Sequence, residues 1–124
     1  GFREKVVHVK VVVKLVEYIH RYSSETTNAN LGAVLVFLTG WDDIKNVNME
    51  IQKSSIIDEL TVVALHGMLG TEKQRQVFRP PSKGCRKVIL ATNIAESSIT
   101  IDDVVYVIDL CMHKEKTYDA ESNV

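Results

Sequence analysis

The chain of 124 residues is poor in the features that would make it self-sufficient chemically. It has only two cysteines, Cys85 and Cys111, without metal-type spacing, so neither a disulfide framework nor a thiolate zinc site is expected. Four scattered histidines (His8, His20, His66, His113) give no metal-ligand pattern either. No apolar run approaches the ~18 residues of a membrane span. The early apolar stretch Val6–Val16 carries His8, Lys10 and Lys14, unlike a secretory leader. No Gly-x-x-x-x-Gly-Lys-Ser/Thr loop is present, which excludes a self-contained cradle for nucleotide phosphates. The formal net charge is only −1, so overall charge does not announce a polyanionic partner.

What is present is an ordinary soluble composition, 45% hydrophobic and 25% charged, with length for one core. Gly1–Lys5 is short and charged, more like a cut than a natural start. Over Val6–Tyr22 two periodicities compete. Alternating valines read as strand, but Lys10, Lys14, Glu17 and Arg21 define a helical polar face. Glu17-Tyr18 breaks the alternation and decides for helix. Ser23–Asn30 reads as a polar loop. Gly32–Leu38 is a continuous apolar run, the pattern of a central strand buried on both faces. Asp42-Asp43 then opens a helix whose inner face is Ile44, Val47 and Ile51, and Trp41 is expected to pack under the sheet edge.

Glu59–Leu65 is the next expected strand, and Thr71 with Gln74 starts a helix that ends before Pro80-Pro81. Val88–Ala91 and Val104–Ile108 are two further strands, joined by a dozen mostly small or polar residues. That length suits a crossover between parallel strands. Asn93 followed by Glu96 is a capping-box pattern inside it. Such a loop leaves the carboxyl end of a parallel strand, where open α/β sheets place ligands. Its hydroxyls and amides suit phosphates and sugars. The alternation of elements predicts an α/β, three-layer fold with a mostly parallel sheet flanked by helices. Four strands is few for this class, so another is expected beyond the chain. Between Thr71 and Leu90, Lys73, Arg75, Arg79, Lys83, Arg86 and Lys87 stand against Glu72 alone. This is either a patch for a phosphate backbone or a solvated surface.

The string Ala91-Thr92-Asn93-Ile94-Ala95-Glu96-Ser97-Ser98-Ile99-Thr100-Ile101-Asp102 closely resembles motif V of the DEAH/RNA-helicase-A type of superfamily 2 helicases. Val36–Ile44, with Thr39-Gly40 at its centre, resembles motif IV. Leu65-His66-Gly67, then Gln74 and Gln76-Val77-Phe78, resembles the segment after it. Lys114–Asp119 resembles the start of the β-hairpin that follows motif V. The resemblance covers roughly residues 31 to 119 and implies a truncated second RecA-like domain. Residues 1–30 would be its leading helix and loop, 31–109 the parallel-sheet core, and 110–124 the start of the hairpin. It implies that Thr39, Gly40, Thr92 and Asn93 face RNA, and that Ser98, Thr100 and Asp102 face nucleotide. His66 reads equally as a core or turn residue or as an RNA contact.

The departures bear on activity. The chain has no Asp-Glu-x-His box and no Gln-Arg-x-Gly-Arg motif. Ser97 replaces a more usual Thr, and Leu110-Cys111 a smaller pair. By resemblance the chain is part of an ATP-dependent RNA helicase moving 3′ to 5′ on single-stranded RNA. No catalytic residue and no metal ligand lies within it, ATP and Mg²⁺ being held with the first RecA-like domain of the same parent chain. The fragment alone is expected to be inactive, monomeric and away from membranes, its parent intracellular, in cytoplasm or nucleus. The competing readings are a non-catalytic RNA-binding or interaction module of a degenerate helicase, and an unrelated α/β nucleotide-binding enzyme.

Overall fold

The computed structural model describes residues 2–23, 26–27, 30–65, 75, 79–92 and 104–109. Helix α1 runs Phe2–Tyr22, one turn earlier than the sequence suggests. Its valines have poor helix propensity. Tertiary burial overrides this, for Val12, Val13 and Val16 are buried in the main core. The polar stretch after α1 holds two short antiparallel strands, β1 (Thr26–Thr27) and β2 (Asn30–Leu31), where a loop is expected. Then follow β3 (Ala33–Leu38), α2 (Trp41–Ile51), a 3₁₀ turn (Ile57–Glu59), β4 (Leu60–Leu65), β5 (Arg86–Thr92) and β6 (Val104–Asp109).

β3 to β6 form one all-parallel sheet in the order β4-β5-β3-β6. β5 is buried along its whole length and β3 nearly so, as central strands of a sheet covered on both faces must be. Val34, Val36 and Leu38 of β3 and Val88 and Leu90 of β5 meet α1 and the inner face of α2, namely Ile44, Val47 and Ile51. Phe37, Val63, Leu65, Ile89 and Ala91 make a second buried cluster on the opposite face. The layered α/β expectation therefore holds.

Close approach explains Gly32. A Cβ there would lie 2.6 Å from Val105 Cγ2 at the start of β6. Gly84 has φ of +83° in the turn before β5, a left-handed conformation that favours glycine.

The amino end of β5 corrects the basic-patch expectation. Arg86 and Lys87 are both 0% exposed. Arg86 donates to Gly32 O (2.6 Å), Ser23 O (3.0 Å) and His20 Nδ1 (3.2 Å), and lies 5.7 Å from the Tyr106 ring centre. A guanidinium has no acceptor, so His20 Nδ1 must accept, and its Nε2–H then donates to Glu59 Oε1 at 2.7 Å. Burial lowers the Arg86 pKa, and Tyr106 partly offsets this. Lys87 donates to Arg79 O at 3.0 Å. These two cations staple the sheet's amino edge rather than meeting a phosphate backbone. The reason is register: β5 starts at Arg86, so this part of the basic stretch enters the sheet.

A candidate nucleic-acid interface at the carboxyl edge

Parallel pairing brings all four strand ends to one edge. Leu38 is in register with Thr92, Leu65 with Ala91, and Phe37 with Asp109. Thr39-Gly40, which follows β3, therefore emerges beside Thr92, the last residue of β5; neighbouring strands lie about 4.8 Å apart. Two sequence stretches more than fifty residues apart converge here.

Thr39 is exposed, and its hydroxyl donates to the Asp43 carboxylate one turn into α2. Gly40 is the N-cap of α2, with extended backbone and no side-chain cap. A Cβ built on Gly40 meets nothing within 4 Å. Thr39, Gly40, Trp41, Asp42 and Asp43 line a hollow of about 250 Å³ at the helix start. Trp41 lines this hollow and is 42% exposed, more open than a side chain packed under the sheet edge.

Thr92 is 4% exposed, and its Oγ1 is buried without a hydrogen-bond partner among the described residues. A buried unpaired hydroxyl costs about 1–3 kcal/mol, so it asks for an explanation beyond folding. Of the residues singled out from the sequence, Thr39, Gly40 and Thr92 are thus brought together. Asn93, Ser98, Thr100, Asp102 and His66 lie outside the described residues, as do both capping boxes and the segment 110–124. The sequence reading missed Asp43 as the acceptor for Thr39. Their i, i+4 spacing across a helix start is the signal that could have found it.

The described titratable groups at this edge are Asp42, Asp43 and Asp109, with Lys45 of α2 3.9 Å from the Asp42 carboxylate. The described cations Arg79, Lys83, Arg86 and Lys87 precede or begin β5, about 20 Å away along that strand. Among the described residues no group of three or more His, Cys, Asp or Glu side chains fits a metal ion. None of their helices is long and apolar enough to cross a membrane.

A parallel sheet buried on both faces, with polar groups gathered where its strands end, defines a RecA-like α/β domain. The family model of the helicase conserved C-terminal domain matches residues 9–122. Over 96 residues the chain is 49% identical to the DExH-box ATP-dependent RNA helicase DExH6 of Arabidopsis thaliana, covering 75% of this chain and 7% of that protein. Over 121 residues it is 40% identical to the ATP-dependent DNA/RNA helicase DHX36 of Homo sapiens, covering 95% of this chain and 11% of the other. The crystal structure of the Escherichia coli DExH-box NTPase HrpB superposes with a TM-score of 0.65 at 32% identity, covering 82% of this chain and 12% of that one. The chain belongs to the helicase conserved C-terminal domain family, in the DEAH/DExH-box group of superfamily 2.

Proposed function

We propose that this chain is most of the second RecA-like domain of an ATP-dependent RNA helicase, and that Thr39, Gly40, Thr92 and Asn93 hold the RNA backbone. The relatives' names and the family assignment support the class of activity. The observation that carries the RNA site is the convergence of Thr39-Gly40 on Thr92, whose buried hydroxyl lacks a partner among the described residues. A phosphate oxygen would accept from it. Because the atom is covered in the free chain, the ligand reaches it only when the atoms over it draw back. Thr39 spends its hydroxyl proton on Asp43, so it must release that carboxylate before donating to a phosphate. Room beside Gly40 lets a backbone approach the helix start, whose N–H groups favour anions.

In the same reading, Ser98, Thr100 and Asp102 face nucleotide. The domain spans 1–124, with 1–30 leading, 31–109 as the sheet core and 110–124 beginning a hairpin. ATP would supply the free energy for 3′ to 5′ movement, with Mg²⁺ and its ligands in the remainder of the parent. The partner across the nucleotide would be the parent's first RecA-like domain, and the setting intracellular. The loop from Thr92 to Asp102 would couple the two ligands, since one end meets each.

The test is RNA-stimulated ATP hydrolysis by the parent-length protein, with single-stranded DNA in parallel because one relative is named for both nucleic acids. Stimulation by RNA, blunted turnover in Asp102→Ala and a weakened RNA response in Thr92→Ala are expected. A folded parent without turnover, with or without RNA, would overturn the helicase reading in favour of a binding module.

A further inference from the structure

Helix α1 has a second apolar face that stands exposed and joins neither buried cluster of the described residues. Val11 (43% exposed), Leu15 (40%), Tyr18 (63%) and Tyr22 (74%) recur at steps of four, three and four. These are the a and d steps of a coiled-coil seam. The core-facing residues Val12, Val13 and Val16 lie elsewhere around the helix. The rings of Tyr18 and Tyr22 pack together with centres 4.8 Å apart, an ordered aromatic pair standing in solvent. With Leu15 and Tyr22 as a positions, Lys14 and Arg21 both fall at g, the position whose charge selects a partner helix. Both are exposed; the Lys14 side chain is 82% exposed and lies 3.8 Å from the Glu17 carboxylate, a weak pair. The opposite flank, Val12 and Ile19, is apolar and joins the core.

We infer that this stripe docks a helix with an apolar seam and acidic flanks, supplied by another part of the same polypeptide. Basic residues at both g positions specify the acid of the partner. Size specifies its source. From Val11 to Tyr22 the stripe is about 17 Å long and one helix wide, a footprint on the order of 200 Å². A free partner protein needs about 800 Å² on each side for a stable complex. A tethered one does not, because linkage raises its effective concentration. The chain spans only 7–11% of the length of the relatives compared above, so a parent of similar size has ample chain to supply the helix.

The experiment is hydroxyl-radical footprinting of Tyr18 and Tyr22 in the parent-length protein, with a synthetic peptide of residues 8–23 as the unprotected standard. Docking with a tenfold preference lowers both rates about tenfold relative to the peptide. The rates stay low on dilution, and the double variant Lys14→Glu, Arg21→Glu raises them; both residues are exposed, so the fold survives the change. Peptide-like rates in the parent overturn the inference. Protection that fades on dilution overturns it too, by assigning the stripe to a second copy. Protection untouched by charge reversal overturns the acidic partner.

Discussion

Thr92 is the residue at which folding and function pull apart. Its hydroxyl is buried and has no partner among the described residues, so Thr92→Val, which keeps the branched shape a strand favours, is expected to stabilise the domain by about 1 kcal/mol. The same change should lower the RNA stimulation of ATP hydrolysis in the parent. Urea unfolding beside the ATPase assay reads both, and a loss of stability would return Thr92 to a purely structural role. Gly40 gives the complementary test. A Cβ there has open space, so Gly40→Ala should leave the melting temperature within a degree or two of wild type while weakening RNA binding in a filter or anisotropy titration. Gly32→Ala is the contrast, because its Cβ would press on Val105. Overpacking of this kind costs about 1–3 kcal/mol, measurable by urea denaturation. Removing Arg86 as Arg86→Leu would strand the buried Gly32 carbonyl, the half-buried Ser23 carbonyl and the His20 ring nitrogen. A loss of about 1–3 kcal/mol for each group left unpaired is expected, enough to unfold a marginal domain in the same assay. The lowered pKa of Arg86 has the opposite sign to a stabilising pair: folding disfavours its charged form. Its effect on stability would therefore rise with pH only in strongly alkaline solution, and Arg86 stays charged at ordinary pH.

At the scale of the element, α2 shows how a strand end is aimed. Ile44, Val47 and Ile51 seat the helix on the sheet, which holds Thr39-Gly40 at the carboxyl edge. Ile44→Ala should cost about 2–5 kcal/mol by emptying that contact, whereas Met49→Ala on the exposed face should stay within ~0.5 kcal/mol. Equal effects in chemical denaturation would mean that α2 does not dock by one face. Helix α1 is fixed by a different set of groups. Ser54 Oγ donates to Glu17 Oε2 at 2.6 Å, and Lys10 reaches Glu50 at 3.4 Å, both joining α1 to the α2 region. The residues read from the sequence as its polar face are thus partly a seam between helices. The solvent-facing side is partly apolar.

For the whole molecule, the sheet divides labour between its edges. The amino edge holds the Arg86, His20 and Glu59 network together with Gly32 and Tyr106, and it fastens α1, β3, β5 and β6. The carboxyl edge gathers Thr39, Gly40 and Thr92 with an unfilled hydrogen-bonding need. Stability and ligand contact can therefore vary separately, which is why the paired variants above separate them. The purified 124-residue chain, once its folding is verified by circular dichroism, is expected to hydrolyse no ATP, because its sequence carries no phosphate-binding loop and no acidic box. Turnover above a matched blank would refute that.

The sequence by itself determined the four strands of the parallel sheet and the inner face of α2, because burial writes itself into composition; the short β1 and β2 it did not show. Apolar runs at 32–38, 60–65, 88–91 and 104–108 had to be strands inside a covered parallel sheet, and the spacing of Ile44, Val47 and Ile51 had to be a helix face. The long motif around Thr92 determined the family in the same way. Only the tertiary structure decided which strands are neighbours, and with that which loops share an edge. Nothing in the order of residues says that β5 inserts between β3 and β4, so the meeting of Thr39-Gly40 with Thr92 was not legible. Nor could a run of six cations declare that Arg86 and Lys87 are buried, since a charge enters a core only when folding brings carbonyls to it. Local pattern is a property of the chain; register and burial of polar groups belong to contacts between distant parts of it.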